Sequence, residues 1–253
     1  MYFSKVHNLK ISVITVSYNA QSTIEQCIQS VIGQDYPHIE YIIIDGNSSD
    51  GTIPILEKYK KHIHVFVSEP DKGIYDAMNK GIALASGDVI GTLNADDFFA
   101  DSHTLTVLSD AFKNNVTDIV YGDLDYVKPD GSTFRKWRSG PYKKGMFNLG
   151  WMPPHPAFYC RKEAFNRLGN YSLEYGTAAD YELMLRFIHL NQLPVYYLAS
   201  VLVKMSTGGV SNSSINNRVK ALIFDMRAMY RNNVLFPPIA LFLKPLRKLG
   251  QFF

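Results

Sequence analysis

From residue 11 the chain alternates short runs rich in β-branched residues with amphipathic stretches of helical period, and few folds accommodate that alternation. Strands separated by helices pair in parallel, because each crossover helix carries the chain back to the same end of the sheet. The expected strands cover 11–16, 39–44, 64–68 and 88–93. Helices are expected from 22 to 32, after Thr52, and from 74 to 85. Ser22 stands three residues before Glu25, a capping-box spacing that starts the first helix. These units form a Rossmann-like half over about residues 11–97. Past Asp97 the rhythm loosens into a helix near 104–112, strands near 119–126 and 133–137, and a loop rich in Gly, Pro and aromatic residues. The expected fold class is α/β, with one domain over 1–211 built on a mostly parallel sheet, followed by a basic amphipathic helical tail over 212–253.

Composition narrows the partners. A net charge of +3 on 253 residues is too small to argue for nucleic acid, and the positive excess lies in the tail. The two cysteines, Cys27 and Cys160, are far apart in apolar patterns and give neither a disulfide framework nor a metal-ligand spacing. Residues 1–10 lack a signal-peptide core, and no apolar run is long enough to span a bilayer, so the expected location is the cytoplasm.

In open parallel sheets, ligands bind outside the carboxyl ends of the strands. Those positions are polar here: Ser17-Tyr18-Asn19 after the first strand, Asp45 through Thr52 after the second, Glu69-Pro70-Asp71-Lys72-Gly73 after the third and Asn94-Ala95-Asp96-Asp97 after the fourth. Each loop alone also reads as turn formers, with Asp50 or Asn94 capping the next helix. Four together mark a cleft. Adjacent carboxylates at Asp96 and Asp97 repel unless solvent or a cation relieves them, and their oxygens suit Mg²⁺ or Mn²⁺.

The run 68–81, SEPDKGIYDAMNKG, is long and specific. It resembles the inverting family 2 glycosyltransferases of the GT-A fold, in the subgroup that builds bacterial surface polysaccharides, and the resemblance extends from Ile11 to about Ser211. It implies that 98–211 is the acceptor-binding half. It also implies a nucleotide-sugar donor, with Val16 and Tyr18 meeting the base, Asp45 the nucleoside, and Asp71 and Asp76 on the donor side. Asn94-Ala95-Asp96 then stands as an Asp-x-Asp-like motif with Asp96 as metal ligand. The chain departs from many members at Gly46, Met78 and Asn94, where an acidic residue, Arg and Asp are common.

Inverting transfer also requires a base for the attacking hydroxyl. Asp180, in the segment TAADYEL, is similar to the family's catalytic carboxylate, and Glu182 is the next candidate. A structural reading stands beside it: Thr177 and Asp180 have capping-box spacing. His155, among prolines, is either an acceptor-pocket residue or a loop histidine. Trp137 and Trp151 either stack on sugar rings or pack in the core. Gly208-Gly209-Val210-Ser211 resembles a late motif of the same subgroup.

In the tail, Ile215, Val219, Leu222, Ile223, Met226 and Tyr230 fall on one helical stripe beside Lys220, Arg227 and Arg231. Residues 236–253 mix apolar side chains with Lys244, Arg247 and Lys248. An anionic membrane surface, packing on the domain and a dimer contact all suit such a pattern. The combined expectation is a metal-dependent transferase moving a sugar from a UDP-sugar to a hydroxyl of a lipid-linked saccharide, peripherally attached to the inner face of the cytoplasmic membrane. A sugar-1-phosphate nucleotidyltransferase and a non-catalytic nucleotide-sugar-binding subunit are the rivals. A processive synthase is disfavoured, because its Gln-x-x-Arg-Trp pattern is absent.

Overall fold

In the computed structural model, which describes residues 8–206, 215–248 and 251, the four expected strands form one parallel block. β1 (Ile11–Ser17) lies between β2 (Ile39–Asp45) and β4 (Val89–Thr92), and β3 (Val65–Ser68) extends the edge beyond β2. The crossovers are α1 (Ile24–Ile32), α2 (Thr52–Lys58) and α3 (Ile74–Leu84). The capping-box start at Ser22 is not what forms. Thr23 is the cap residue, no side chain caps the helix, and the Ala20 carbonyl accepts from the N–H groups of Thr23 and Ile24 at 3.0 and 2.9 Å.

Beyond β4 the sheet continues through the expected strands near 119–126 and 133–137 and through three others that hydrophobic periodicity does not reveal. Its order is β3-β2-β1-β4-β8-β6-β9-β5, where β5 is Asp97–Phe99, β6 Ile119–Val127, β8 Phe158–Arg161 and β9 Val195–Ser206. β7 (Thr133–Trp137) pairs with β6 off this path. β8 runs antiparallel to both β4 and β6, whereas β6 and β9 are parallel. The remaining helices are α4 (Thr104–Asn114), α5 (Lys162–Leu168), α6 (Ala179–Met184), which runs on into a π-helical turn over Leu185–Leu190, α7 (Ile215–Arg231) and α8 (Pro237–Leu246).

Both faces of the sheet are covered. Ile11, Val13, Tyr41 and Ile43 pack with Ile24, Ile28, Leu105 and Leu108 on one face; Ile14, Val16, Ile42 and Ile44 pack with Met78, Ile82, Leu183 and Phe187 on the other. A sheet buried on both sides needs near-continuous apolar strands, which is why 41–44 reads Tyr-Ile-Ile-Ile. Each such side chain, fully buried, contributes about 1.5–3 kcal/mol.

The tail completes the second face. Ala228 and Met229 of α7, Val234 in the connection and Ala240 of α8 are buried in the same core as Ile14 and Ile42. The apolar stripe read from the tail sequence faces outward instead: Val219, Leu222, Ile223 and Tyr230 are exposed. The Ile215 side chain, the 208–211 motif and residues 252–253 lie outside the described residues. No helix among the described residues is long and apolar enough to cross a membrane.

The junction of the two halves of the sheet is close. Gly91 of β4 is paired with Tyr159 of β8, and a Cβ built on Gly91 would stand 2.0 Å from a carbon of the Tyr159 ring. Gly91→Ala is therefore expected to destabilise the fold by about 1–3 kcal/mol through overpacking. Thermal unfolding checks it: an unchanged melting temperature would mean that β4 and β8 do not meet in this register.

Candidate active site

The parallel strands end level with one another. Ser17, Asp45 and Ser68 occupy one row across β1, β2 and β3. Asp45 is fully buried and accepts four hydrogen bonds there, from the Ser17 hydroxyl at 2.9 Å, the Ser68 hydroxyl at 2.8 Å, and the Ser48 hydroxyl and N–H at 2.5 and 2.9 Å. Sequence reasoning sends Asp45 to the nucleoside; in this conformation its oxygens are turned inward, tying three strand ends to the following loop.

That loop is zipped to the one after β1. Asn19 N–H donates to Ser48 Oγ at 2.8 Å, Ser49 N–H to Asn19 Oδ1 at 2.9 Å and Gln21 N–H to Asp50 Oδ2 at 3.0 Å. Most polar groups of 47–52 are thereby occupied as turn formers, and Asp50 also accepts from the Thr52 N–H at 2.9 Å. Tyr18 is left at the rim, 67% exposed, above the buried Val16. Gly46 has no room for a side chain, since a Cβ there would meet Asp71 Oδ2 at 2.6 Å and the Tyr18 ring at 3.4 Å. The Asp71 carboxylate thus stands where an acidic residue at 46 would project. Asp71 and Asp76 also fold their own loop, accepting from the N–H groups of Gly73 at 2.7 Å and Lys72 at 3.0 Å.

The Asn94–Asp97 segment is a tight turn between β4 and β5, closed by Asp97 N–H to the Asn94 carbonyl at 3.0 Å, while Ala95 N–H donates to the Val16 carbonyl at 3.2 Å. Asn94 caps no helix; its Nδ2 donates to Asp97 Oδ2 at 3.1 Å. Asp97 belongs to β5 and is fully buried, and burial followed by the charge of Asp96 holds its carboxyl well above the usual range. Asp96 is half-buried, and desolvation raises it too. Asn94 Oδ1 and Asp97 Oδ1 are buried without a hydrogen-bond partner among the described residues. Unmatched oxygens beside two carboxylates fit a hard divalent cation. Among the described residues no cluster of three or more His, Cys, Asp or Glu surrounds them. The fit is therefore to Mg²⁺ or Mn²⁺ held by one or two carboxylates together with substrate phosphates, rather than by an all-protein cage.

Across the carboxyl end of β4 lies Asp180, the second residue of α6. Its Oδ1 accepts from the Tyr181 N–H at 2.7 Å, and the Thr177 capping-box reading fails, because Ala178 is the cap residue and no side chain caps the helix. Asp180 is half-buried against an aromatic cluster that the sequence did not single out. His155 Nε2 hydrogen-bonds the Tyr171 hydroxyl at 2.8 Å and approaches Thr92 Oγ1 of β4 at 3.4 Å. Tyr75, from the 68–81 run, packs on Tyr171 and His155 with ring centroids 5.4 and 6.5 Å apart. Burial, then the charge of Asp180, pushes the Tyr75 and Tyr171 hydroxyls upward; burial lowers His155, and Asp180 opposes it. His155 is thus brought to Asp180, with its Nε2 engaged by tyrosine and threonine. No spacing signal marks Tyr75 or Tyr171, which come from segments nearly a hundred residues apart.

Two expectations need correction. Glu182 does not face this cleft: it is buried and pairs with Arg186 at 3.0 Å, with Asn232 Nδ2 at 3.4 Å from its Oε1. Trp151 is not a sugar platform, because its indole is buried among Tyr121, Tyr142 and Phe147 and its Nε1 donates to the Ser139 carbonyl at 3.0 Å.

Comparison with known proteins gives the family and the fold. An uncharacterized glycosyltransferase of Mycobacterium tuberculosis, Rv1514c, is 32% identical over 229 residues, covering 87% of this chain and 82% of its own. The mannosyltransferase PcManGT of Pyrobaculum calidifontis, solved with GDP-Man and Mn²⁺, superposes with a TM-score of 0.67 at 16% identity, covering 97% of this chain and 75% of its own. S. aureus TarS 1–349, solved with UDP-GlcNAc, gives 0.66 at 14% identity, covering 97% and 93%. The fold is that of the GT-A glycosyltransferases. The family model described as "Glycosyl transferase family 2" matches residues 12–169, and the protein belongs to that family of glycosyltransferases.

Proposed function

We propose that this enzyme moves a sugar from a UDP-sugar onto a saccharide hydroxyl by a single inverting displacement. One observation carries the reading: two acidic groups of different character flank the carboxyl end of β4. On one side Asp96 stands beside unmatched buried oxygens; on the other the charge of Asp180 acts on His155, which contacts Thr92 of the same strand. The UDP-sugar donor is also supported by TarS, which holds UDP-GlcNAc on this fold.

Tyr18 and Asp71 frame the nucleoside side, and the Asp45 clamp ties together the strand ends from which their loops spring. Asp96, with Asn94 and Asp97 beside it, would hold Mg²⁺ or Mn²⁺. When bound, such an ion supplies positive charge against the departing diphosphate. Asp180 takes the proton of the acceptor hydroxyl as its oxygen bonds to the anomeric carbon. The bond from that carbon to the phosphate oxygen breaks, and its electron pair leaves with UDP. Tyr75, Tyr171 and His155 hold the Asp180 side of the cleft and exclude water from it. The acceptor, by the resemblance of the 68–81 run, is a saccharide of surface-polysaccharide assembly.

Asp180→Asn tests the assignment. No cap bond is lost, so the melting temperature and UDP affinity should stay at wild-type values while turnover falls roughly a hundredfold or more. Retention of most of the turnover would place the base elsewhere.

We also propose that the tail docks on an anionic membrane. Phe236, Ile239, Phe242 and Leu246 are exposed along one side of α8, beside exposed Val219, Leu222 and Ile223 of α7 and flanking basic residues. Deleting α8 would strip Ala240 from the core, so substitution is the cleaner probe. Ile239→Ser with Phe242→Ser should release the protein from phosphatidylglycerol vesicles without lowering its melting temperature, and salt should weaken wild-type binding. Equal vesicle binding by both forms would remove the membrane role.

A further inference from the structure

α3 is pressed closely onto the parallel block. A Cβ on its Gly81 would stand 2.4 Å from Cγ2 of Ile14 in β1, and Ala77, Met78 and Ile82 are buried beneath the helix. A helix seated that tightly moves with the sheet or not at all. Two polar stripes remain on its surface, each formed by residues one turn apart. Asp76 and Lys80 make the first. Lys80 Nζ lies 2.7 Å from Glu69 Oε1 and donates to the Pro70 carbonyl at 2.9 Å, and Asp76 Oδ2 accepts from the Lys72 N–H at 3.0 Å, so this stripe holds the loop 69–72. Tyr75 and Asn79 make the second, and both reach the segment 171–180.

Asn79 grips the backbone of Tyr171 with both ends of its amide: Nδ2 donates to the Tyr171 carbonyl at 2.8 Å, and Oδ1 accepts from the Tyr171 N–H at 3.0 Å. A side-chain amide used this way satisfies the backbone as a neighbouring strand would. One turn earlier the Tyr75 ring lies against the Tyr171 ring, and the Tyr75 hydroxyl approaches the Thr177 carbonyl at 3.5 Å. Burial, then the charges of Asp180 and Tyr171, then a hydrogen bond to the Asp180 carboxylate push that hydroxyl upward. The segment between is a tight 3₁₀ turn over Leu173–Ala178, interrupted at Gly176, where φ is 47° and ψ −122°. Its other side rests on α7, since a Cβ on Gly176 would meet the Phe224 ring at 2.5 Å. A turn of this kind takes its place from what it is packed against.

One helix therefore holds both the loop that carries Asp71 and the segment that carries Asp180. A displacement needs the incoming oxygen aligned with the departing one, and a misplacement of about 1 Å can cost about a hundredfold in rate. We infer that Tyr75 and Asn79 are positioning residues, through which α3 holds the segment 171–180, and with it the Asp180 carboxylate, at a fixed offset from the donor loop. This inference rests on the transferase reading above and adds the residues that place its base. In this role neither side chain meets the reacting atoms; both act through Asp180.

A double-mutant cycle on the full chain tests it, with turnover read as UDP released from the UDP-sugar. Tyr75→Phe keeps the stacked ring and removes only the hydroxyl. It should lower kcat about tenfold or more, with the melting temperature, UDP affinity and donor KM at wild-type values. Asn79→Ala should do the same; where it also lowers the melting temperature, the Tyr75→Phe cycle decides alone. Beside Asp180→Asn, neither substitution should reduce the remaining turnover by more than about twofold, because the group they position is gone. Wild-type kcat in Tyr75→Phe would overturn the inference. So would a loss that persists undiminished beside Asp180→Asn, the mark of a role independent of the base. A raised donor KM with kcat unchanged would assign the residues to donor binding and overturn it too. The base assignment fails separately: it falls, and the positioning role with it, if Asp180→Asn alone keeps its turnover, and it stands if Asp180→Asn loses turnover while Tyr75→Phe does not.

Discussion

The buried carboxylate of Asp45 is the interaction on which the site depends. A charge removed from water is costly unless hydrogen bonds replace its hydration, and four bonds from Ser17, Ser48 and Ser68 do so here. Because those donors come from β1, β3 and the loop after β2, satisfying one carboxylate also levels three strand ends. The loops that spring from them are then free to bond to each other, as Asn19 does with Ser48 and Ser49. In the proposed reading the donor meets what is left at the rim: Tyr18, the outer oxygen of Asp71 and the Asn94–Asp97 turn.

The second half of the sheet serves the same cleft from the other side. β8 is clamped to β4 through the close approach of Tyr159 to Gly91, so the chain entering β8 must pass the end of β4, and His155 arrives beside Thr92. α6 and the tail cover the face behind. The tail helices that close this core therefore join its stability to the proposed membrane docking rather than forming a separate anchor.

Much of this was legible in the sequence, and the failures are physical ones. β1 to β4 were readable because local periodicity and polar strand ends both mark a parallel block, and Asp96 and Asp180 stood out through the company they keep in the chain. β8 was hidden because its four residues, Phe-Tyr-Cys-Arg, set between a proline-rich loop and a helix, are too few to carry a period. β9 was hidden because its partner β6 lies some seventy residues away, and such pairing leaves no local trace. Glu182 was misplaced by distance along the chain: two residues on a helix turn the side chain by about 200°, so a neighbour of Asp180 in the same turn points to the opposite face. Trp151 shows the other limit, since composition names a good sugar-stacking surface but not whether the fold leaves it exposed. The outward stripe of α7 was visible, whereas the burial of Ala228 and Met229 on the other side depends on packing that only the assembled core defines.

The central claim is that the donor diphosphate and its cation meet at the Asn94–Asp97 turn, opposite Asp180. Anomalous diffraction from crystals grown with UDP and Mn²⁺ tests it most directly. The account predicts one Mn²⁺ peak at inner-sphere distance, about 2.1 Å by analogy with Mg²⁺, from the Asp96 carboxylate and touching the diphosphate, with the uridine beside Tyr18 and Asp71. UDP bound without a peak at Asp96, or with its uridine away from Tyr18, would contradict it.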